Sequence, residues 1–162
     1  MGIRSFPTML LSAIVCAACA HAEPPVTSDT ESINKKKEFV RELQSAVANA
    51  EIAMIADMIR YPISVEIYGT RRVIATRDEF MRAYADIFTP RVKAAIECQR
   101  LDILIDGQYG VGIGQGELWI EFVDSGDELK VYRINNEPWP DGYARDDQQC
   151  FLEALRRQSR TR

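Results

Sequence analysis

The chain has 162 residues, enough for one domain, with 20 Lys and Arg against 24 Asp and Glu and a formal net charge of −4. A mildly acidic chain is a poor partner for nucleic acid, whose binding rests on phosphate-neutralising cations. Its one histidine is His21, so the rest of the chain has no imidazole for general-base, Ser-His-Asp, Cys-His or metal chemistry.

Residues 1–22 read as an export signal. Arg4 supplies a short cationic start, Pro7 ends it, and residues 9–20 form an apolar run. Ala20-His21-Ala22 then provides the small-x-small site that signal peptidase needs. The run is shorter than the roughly 20 residues that cross a bilayer. Cleavage after Ala22 is favoured over a lipoprotein attached at Cys19, because Cys16 stands where a leucine is usual. Removing these 22 residues from the 162 leaves 140, with a net charge of −5, a periplasmic or secreted location and no integral membrane segment expected. Cys98 and Cys150 then remain. In an oxidising compartment an even pair invites a disulfide, and two separately buried thiols are the alternative. Their wide spacing argues against zinc or dithiol redox chemistry, and no metal or cofactor is expected.

Residues 23–32 are polar, with Pro24 and Pro25, and are expected to form a flexible leader. From Ile33 the period turns helical: Phe39, Val40, Leu43 and Val47, with Ala46, make one apolar stripe. Asn49 is expected to break this helix and cap a second, which buries Ile52, Ile55, Ala56 and Ile59. Pro62 ends the helical stretch, and Ile63, Val65 and Ile67 alternate with polar residues as a strand. Gly69-Thr70 turns the chain into a short return strand, residues 72–75.

Thr76-Arg77-Asp78-Glu79 is a capping box opening a helix that carries Phe80, Tyr84, Ile87 and Phe88. Thr89-Pro90 starts another short helix. Three strands are predicted at about 99–105, 109–122 and 128–135, separated by turns at Asp106-Gly107 and Ser125-Gly126-Asp127. The segment 137–162 is expected to be an extension, loop-like to Asp147, with a short amphipathic helix over residues 148–157. Basic residues at 35–37 and near the C-terminus suit solvated helix ends. The order implies an α+β fold, with helices on one face of an antiparallel sheet.

That order, with particular residues, resembles the nuclear transport factor 2-like superfamily of cone-shaped α+β domains. The residues concerned are Tyr61-Pro62-Ile63-Ser64-Val65, then Thr76-Arg77-Asp78-Glu79-Phe80 with Tyr84, Ile87 and Phe88. Residues 112–120 and Ile134-Asn135-Asn136 complete the set. The resemblance covers about residues 34–136, within a domain taken as 33–136, and is nearer to the exported bacterial branch than to the enzymes. It implies N-terminal helices packed on a strongly curved sheet. The fold hosts enzymes, carriers and binding modules alike. In ketosteroid isomerase the catalytic base lies on the strand corresponding to residues 63–68 here, where the nearest acid is Glu66.

Gly110, Gly112, Gly114 and Gly116 alternate through the 109–122 segment, which suits either a bent strand under a helix or close approach of a ligand. Gln115, Glu117, Trp119 and Glu121 fall on one face of that strand, and Leu118, Ile120 and Phe122 on the other. The second set is expected core. The first is a candidate polar-aromatic lining, with a plain solvent-facing strand as the alternative. Tyr68, Tyr84, Tyr109, Tyr132 and Asn135 are further candidates, and Glu66 and Glu117 are the candidate bases. The leading expectation is a non-catalytic binding or accessory domain for a small apolar or aromatic ligand, or for a segment of a partner. A cofactor-free lyase or isomerase and an envelope protein that binds or inhibits an exported partner are the alternatives. Homodimerisation is implied by the resemblance alone.

Overall fold

The computed structural model describes residues 28–67, 69–107, 109–123, 128–137 and 147–160. The signal, the first part of the leader, Tyr68, the Ser125-Gly126-Asp127 turn and the segment containing Trp139 lie outside the described residues.

Helix α1 runs Ser28–Ala48, starting five residues before Ile33. Asp29 and Glu31 occupy its first turn, where carboxylates complement the helix dipole, and Glu31 pairs with Lys35 one turn on at 3.0 Å. Phe39, Val40, Leu43, Ala46 and Val47 are all buried, as their spacing predicts. Ala50 ends this stretch in the left-handed region, φ 53°. Helix α2, Ile52–Asp57, follows Glu51, which makes no side-chain cap; Asn49 does not serve as one. Ile55 and Ala56 are buried, whereas Ile52 is exposed and Ile59 already belongs to the next strand.

Strand β1 spans Ile59–Ile67 and β2 spans Thr70–Ile74. Pro62, after a cis peptide bond, lies inside β1. It has no N–H to give the ladder, and the pairing of β1 shifts register between Ile59 and Ser64. Helix α3, Arg77–Ile87, begins as the capping box predicts: Glu79 N–H donates to the Thr76 hydroxyl at 3.2 Å. The Glu79 carboxylate reaches back to Ala75 N–H at 2.8 Å. Helix α4, Pro90–Glu97, is capped by Thr89.

The later strands depart from prediction. Residues 99–104 form no strand, because the Gln99 side-chain amide donates to the Arg100 and Ile103 carbonyls, both at 2.8 Å, in place of a ladder. Strand β3 is only Ile105–Gly107, so Asp106-Gly107 is strand and not turn. The predicted 109–122 strand is two, β4 (Gly110–Ile113) and β5 (Leu118–Phe122), joined by a turn in which Gly114 (φ 65°) and Gly116 (φ 96°) take the left-handed backbone open to glycine. Strand β6 is Leu129–Ile134, and helix α5, Gln148–Arg160, runs three residues past Arg157.

The six strands form one sheet in the order β2-β1-β6-β5-β4-β3. It is mixed: β1 runs parallel to β6, and the other pairs are antiparallel. The helical segment between the β1–β2 hairpin and the meander makes this possible, since a parallel partner needs a long crossover. One sheet face presents Ile63, Val65, Ile67, Leu118, Ile120 and Ile134 to α1, α3 and α4, and each such side chain is buried. Burial of each contributes about 1.5–3 kcal/mol. Cys98 and Cys150 form a disulfide that fastens α5 to the end of α4, where Phe151 and Ala154 pack on Ala94 and Ala95. No helix among the described residues is long and apolar enough to cross a membrane.

Candidate functional site

On the helix side, Tyr84 sits in an aromatic cluster. Its ring stacks on Phe88 at 5.1 Å and meets Phe80 edge-on at 6.2 Å, and Phe80 meets Tyr61 edge-on at the same distance. The Lys93 ammonium stands 5.2 Å from the Tyr84 ring centroid. Tyr84 is 6% exposed, and its hydroxyl has no hydrogen-bond partner among the described residues. Burial pushes its phenol up to about 12, and that of Tyr61 to about 12 as well.

The β4–β5 turn gathers Gln115 and Glu117 around a buried ion pair. Glu117 is 1% exposed; its Oε1 accepts from Arg91 Nη2 at 3.0 Å and its Oε2 from Gln115 N–H at 2.6 Å. Gly114 is needed beside it, because an added Cβ would strike the Glu117 carboxylate and lie 2.9 Å from Ala95 Cβ. Gly114 N–H donates to the Gln99 side chain at 2.7 Å. The carboxylate is thus held by a cation on α4 and an amide of its own turn. This arrangement fastens the turn to the helix layer, and each oxygen accepts a hydrogen bond from within the fold. Glu117 therefore does not share a face with Trp119. Trp119 lies half-buried on the other side of the sheet, its ring against Gly112 and Gly116, where an added Cβ would meet it at 3.5 and 3.4 Å. The glycines serve this turn and this ring.

Glu66 and Asn135 come together on the sheet face opposite the helices. They line a polar cleft of about 280 Å³ with Ser64, Arg71, Arg133 and Glu137. Register sets Glu66 opposite Arg71 on β2 and Arg133 beside Ser64 on β1. Arg71 Nε donates to the Ser64 hydroxyl at 2.7 Å. Asn135 N–H donates to the Glu117 carbonyl at 2.8 Å, and its Oδ1 accepts from Glu137 N–H at 2.9 Å. Asn136 clasps the layers: its amide donates to the Glu66 and Ile87 carbonyls at 2.8 and 3.0 Å, and its oxygen accepts from Thr89 at 2.7 Å. Tyr109 is 67% exposed in the β3–β4 turn, where its carbonyl accepts from the Tyr132 hydroxyl.

The candidates thus fall into separate places: Tyr84 among the helices, Gln115 and Glu117 in the turn, Trp119 against Gly112 and Gly116, Tyr109 exposed between β3 and β4, and Glu66 with Asn135 on the open face. Arg91, Arg71, Arg133 and Asn136 were not singled out from sequence. Asn136 follows a candidate directly, but nothing local marks an arginine as the partner of a carboxylate 26 residues away. Among the described residues no group of His, Cys, Asp and Glu is placed to hold a metal ion. The chain matches no family model, no curated protein and no solved structure.

Proposed function

We propose that the chain is an exported, non-catalytic binding domain of the nuclear transport factor 2-like kind, taking a small apolar or aromatic ligand on the helix side of its sheet. The helix–helix–hairpin–helix–helix–meander order supports the fold reading, and the disulfide suits an oxidising compartment. The observation that carries the ligand reading is the Tyr84 hydroxyl, buried without a partner among aromatic rings. Nearly all buried polar groups in native folds are paired, and leaving one unpaired costs about 1–3 kcal/mol. An apolar ligand with one acceptor atom would satisfy it. A carboxylate-base enzyme finds less support: Glu117 is occupied by Arg91 and Gln115, and Glu66 lies on the opposite face of the sheet from Tyr84.

The test is native mass spectrometry of the protein purified gently from the envelope of its host, beside Tyr84→Phe prepared the same way. A small-molecule adduct on the wild type that is lost or depleted in the variant is expected. A bare wild type, or an adduct retained equally by both proteins, overturns the assignment of this tyrosine.

A further inference from the structure

The polar cleft on the open face has an unusual charge arrangement. Two arginines, Arg71 and Arg133, and two glutamates, Glu66 and Glu137, line it. Opposite charges directly across an antiparallel pair attract, and such a pair contributes about 0.2–1 kcal/mol. Here Glu66 and Arg71 are such a pair, yet Arg71 turns its Nε to Ser64 and no ion pair joins it to Glu66. Arg133 and the carboxylates of Glu66 and Glu137 likewise make no ion pair with any described residue. Asn135 gives its side-chain oxygen to Glu137 N–H, which leaves its amide hydrogens for another acceptor.

We propose that this cleft binds a small zwitterion of amino-acid type, its carboxylate on the Arg71 and Arg133 guanidinium groups and its ammonium on Glu66 and Glu137. A plain anion would meet the two carboxylates and a plain cation the two arginines, so only a ligand bearing both charges is matched throughout. Guanidinium groups hold a carboxylate through directed, charge-assisted hydrogen bonds. The bond from Arg71 to Ser64 holds one of these groups in place before the ligand arrives. A volume of about 280 Å³ accommodates an amino acid with a modest side chain. The cleft is open, so its affinity is weakened by salt. The proposal is independent of the ligand reading at Tyr84, which concerns the other face of the sheet.

The experiment is chemical-shift titration of the isotope-labelled, disulfide-intact protein with free L-amino acids, with their N-acetyl forms (carboxylate only) and with their methyl esters (ammonium only). At least one free amino acid is expected to saturate, moving the amides of Ser64, Arg71 and Arg133, with a Kd of about 1 mM or tighter. Its two blocked forms are expected to bind at least about tenfold more weakly, as are Glu66→Gln and Arg133→Gln toward the free form. Both substitutions fall outside the apolar core and leave the spectrum of the folded state otherwise intact. Tyr84→Phe is expected to leave this binding unchanged. No saturable shift with any free amino acid overturns the proposal, and equal binding of an N-acetyl form overturns it in favour of a simple anion site.

Discussion

Replacing Glu117 tests whether the β4–β5 turn is held by a buried ion pair or presents a reactive carboxylate. Glu117 is 1% exposed and the Arg91 side chain 22%, so the pair is largely removed from water. Glu117→Ala leaves the Arg91 guanidinium without its carboxylate and Gln115 N–H without its acceptor. Removing one partner of a buried pair costs about 3–5 kcal/mol. Arg91 keeps some solvent, which favours the lower end, and loss of the bond from Gln115 N–H adds about 1 kcal/mol. A net loss of about 4 kcal/mol is therefore expected. Arg91→Met removes the cation beside the more deeply buried charge and should cost at least as much. Combining Arg91→Met with Glu117→Ala removes both charges and is expected to recover about 2 kcal/mol or more of the summed losses. Urea unfolding of the four proteins, disulfide intact, gives the cycle directly. A carboxylate kept for reaction rather than for structure would behave otherwise, since its removal is commonly neutral or stabilising. Glu117→Ala within about 0.5 kcal/mol of wild type, or no coupling in the cycle, would refute the clamp.

The glycines should separate sharply. In Gly110→Ala the positive φ of 91° and a collision with the Ile120 carbonyl predict a loss of about 2–5 kcal/mol, whereas Gly112→Ala, meeting Trp119 at an ordinary 3.5 Å, should stay within about 1 kcal/mol; equal losses in urea melts would contradict this. Cys98→Ala with Cys150→Ala opens a bridge spanning 52 residues and should cost up to about 4 kcal/mol on the chain-entropy model, seen as a lower urea midpoint that matches the reduced wild type. Titration with alkali should show a late phase from two buried phenols. Tyr84 and Tyr61 are held protonated to about 12 in the fold but release near 10 when unfolded, so stability falls as pH rises from about 10 to about 12. Absorbance at alkaline pH checks this, and release of Tyr84 and Tyr61 near 10 in the folded protein would refute it.

Local physics made much of the fold legible before the structure. The α1 stripe at Phe39, Val40, Leu43 and Val47, the Thr76 and Thr89 caps and the alternation through Ile63, Val65 and Ile67 depend on spacing within a few residues. Such signals survive any tertiary context that buries an apolar face. Two of the glycine positions misled for an equally local reason. A glycine within an alternating pattern fits a bent strand, and only its φ shows that Gly114 and Gly116 make a tight turn that splits the strand. The cysteine pair was open to two readings, and packing of α5 on α4 brought Cys98 and Cys150 together.

By itself, then, the sequence determined the starts of α3 and α4, the α1 stripe and most of the core, because capping and periodicity act between near neighbours. Only the tertiary structure decided what surrounds each functional candidate. Glu117 and Glu66 are both acids on strand-like segments, yet one is buried against Arg91 from α4 and the other faces an open cleft beside Arg71 and Arg133. Their surroundings come from elements distant in the chain, set by the parallel pairing of β1 with β6 and by the left-handed turn after β4. Charge and desolvation at a carboxylate depend on such neighbours, and no spacing along the chain encodes them.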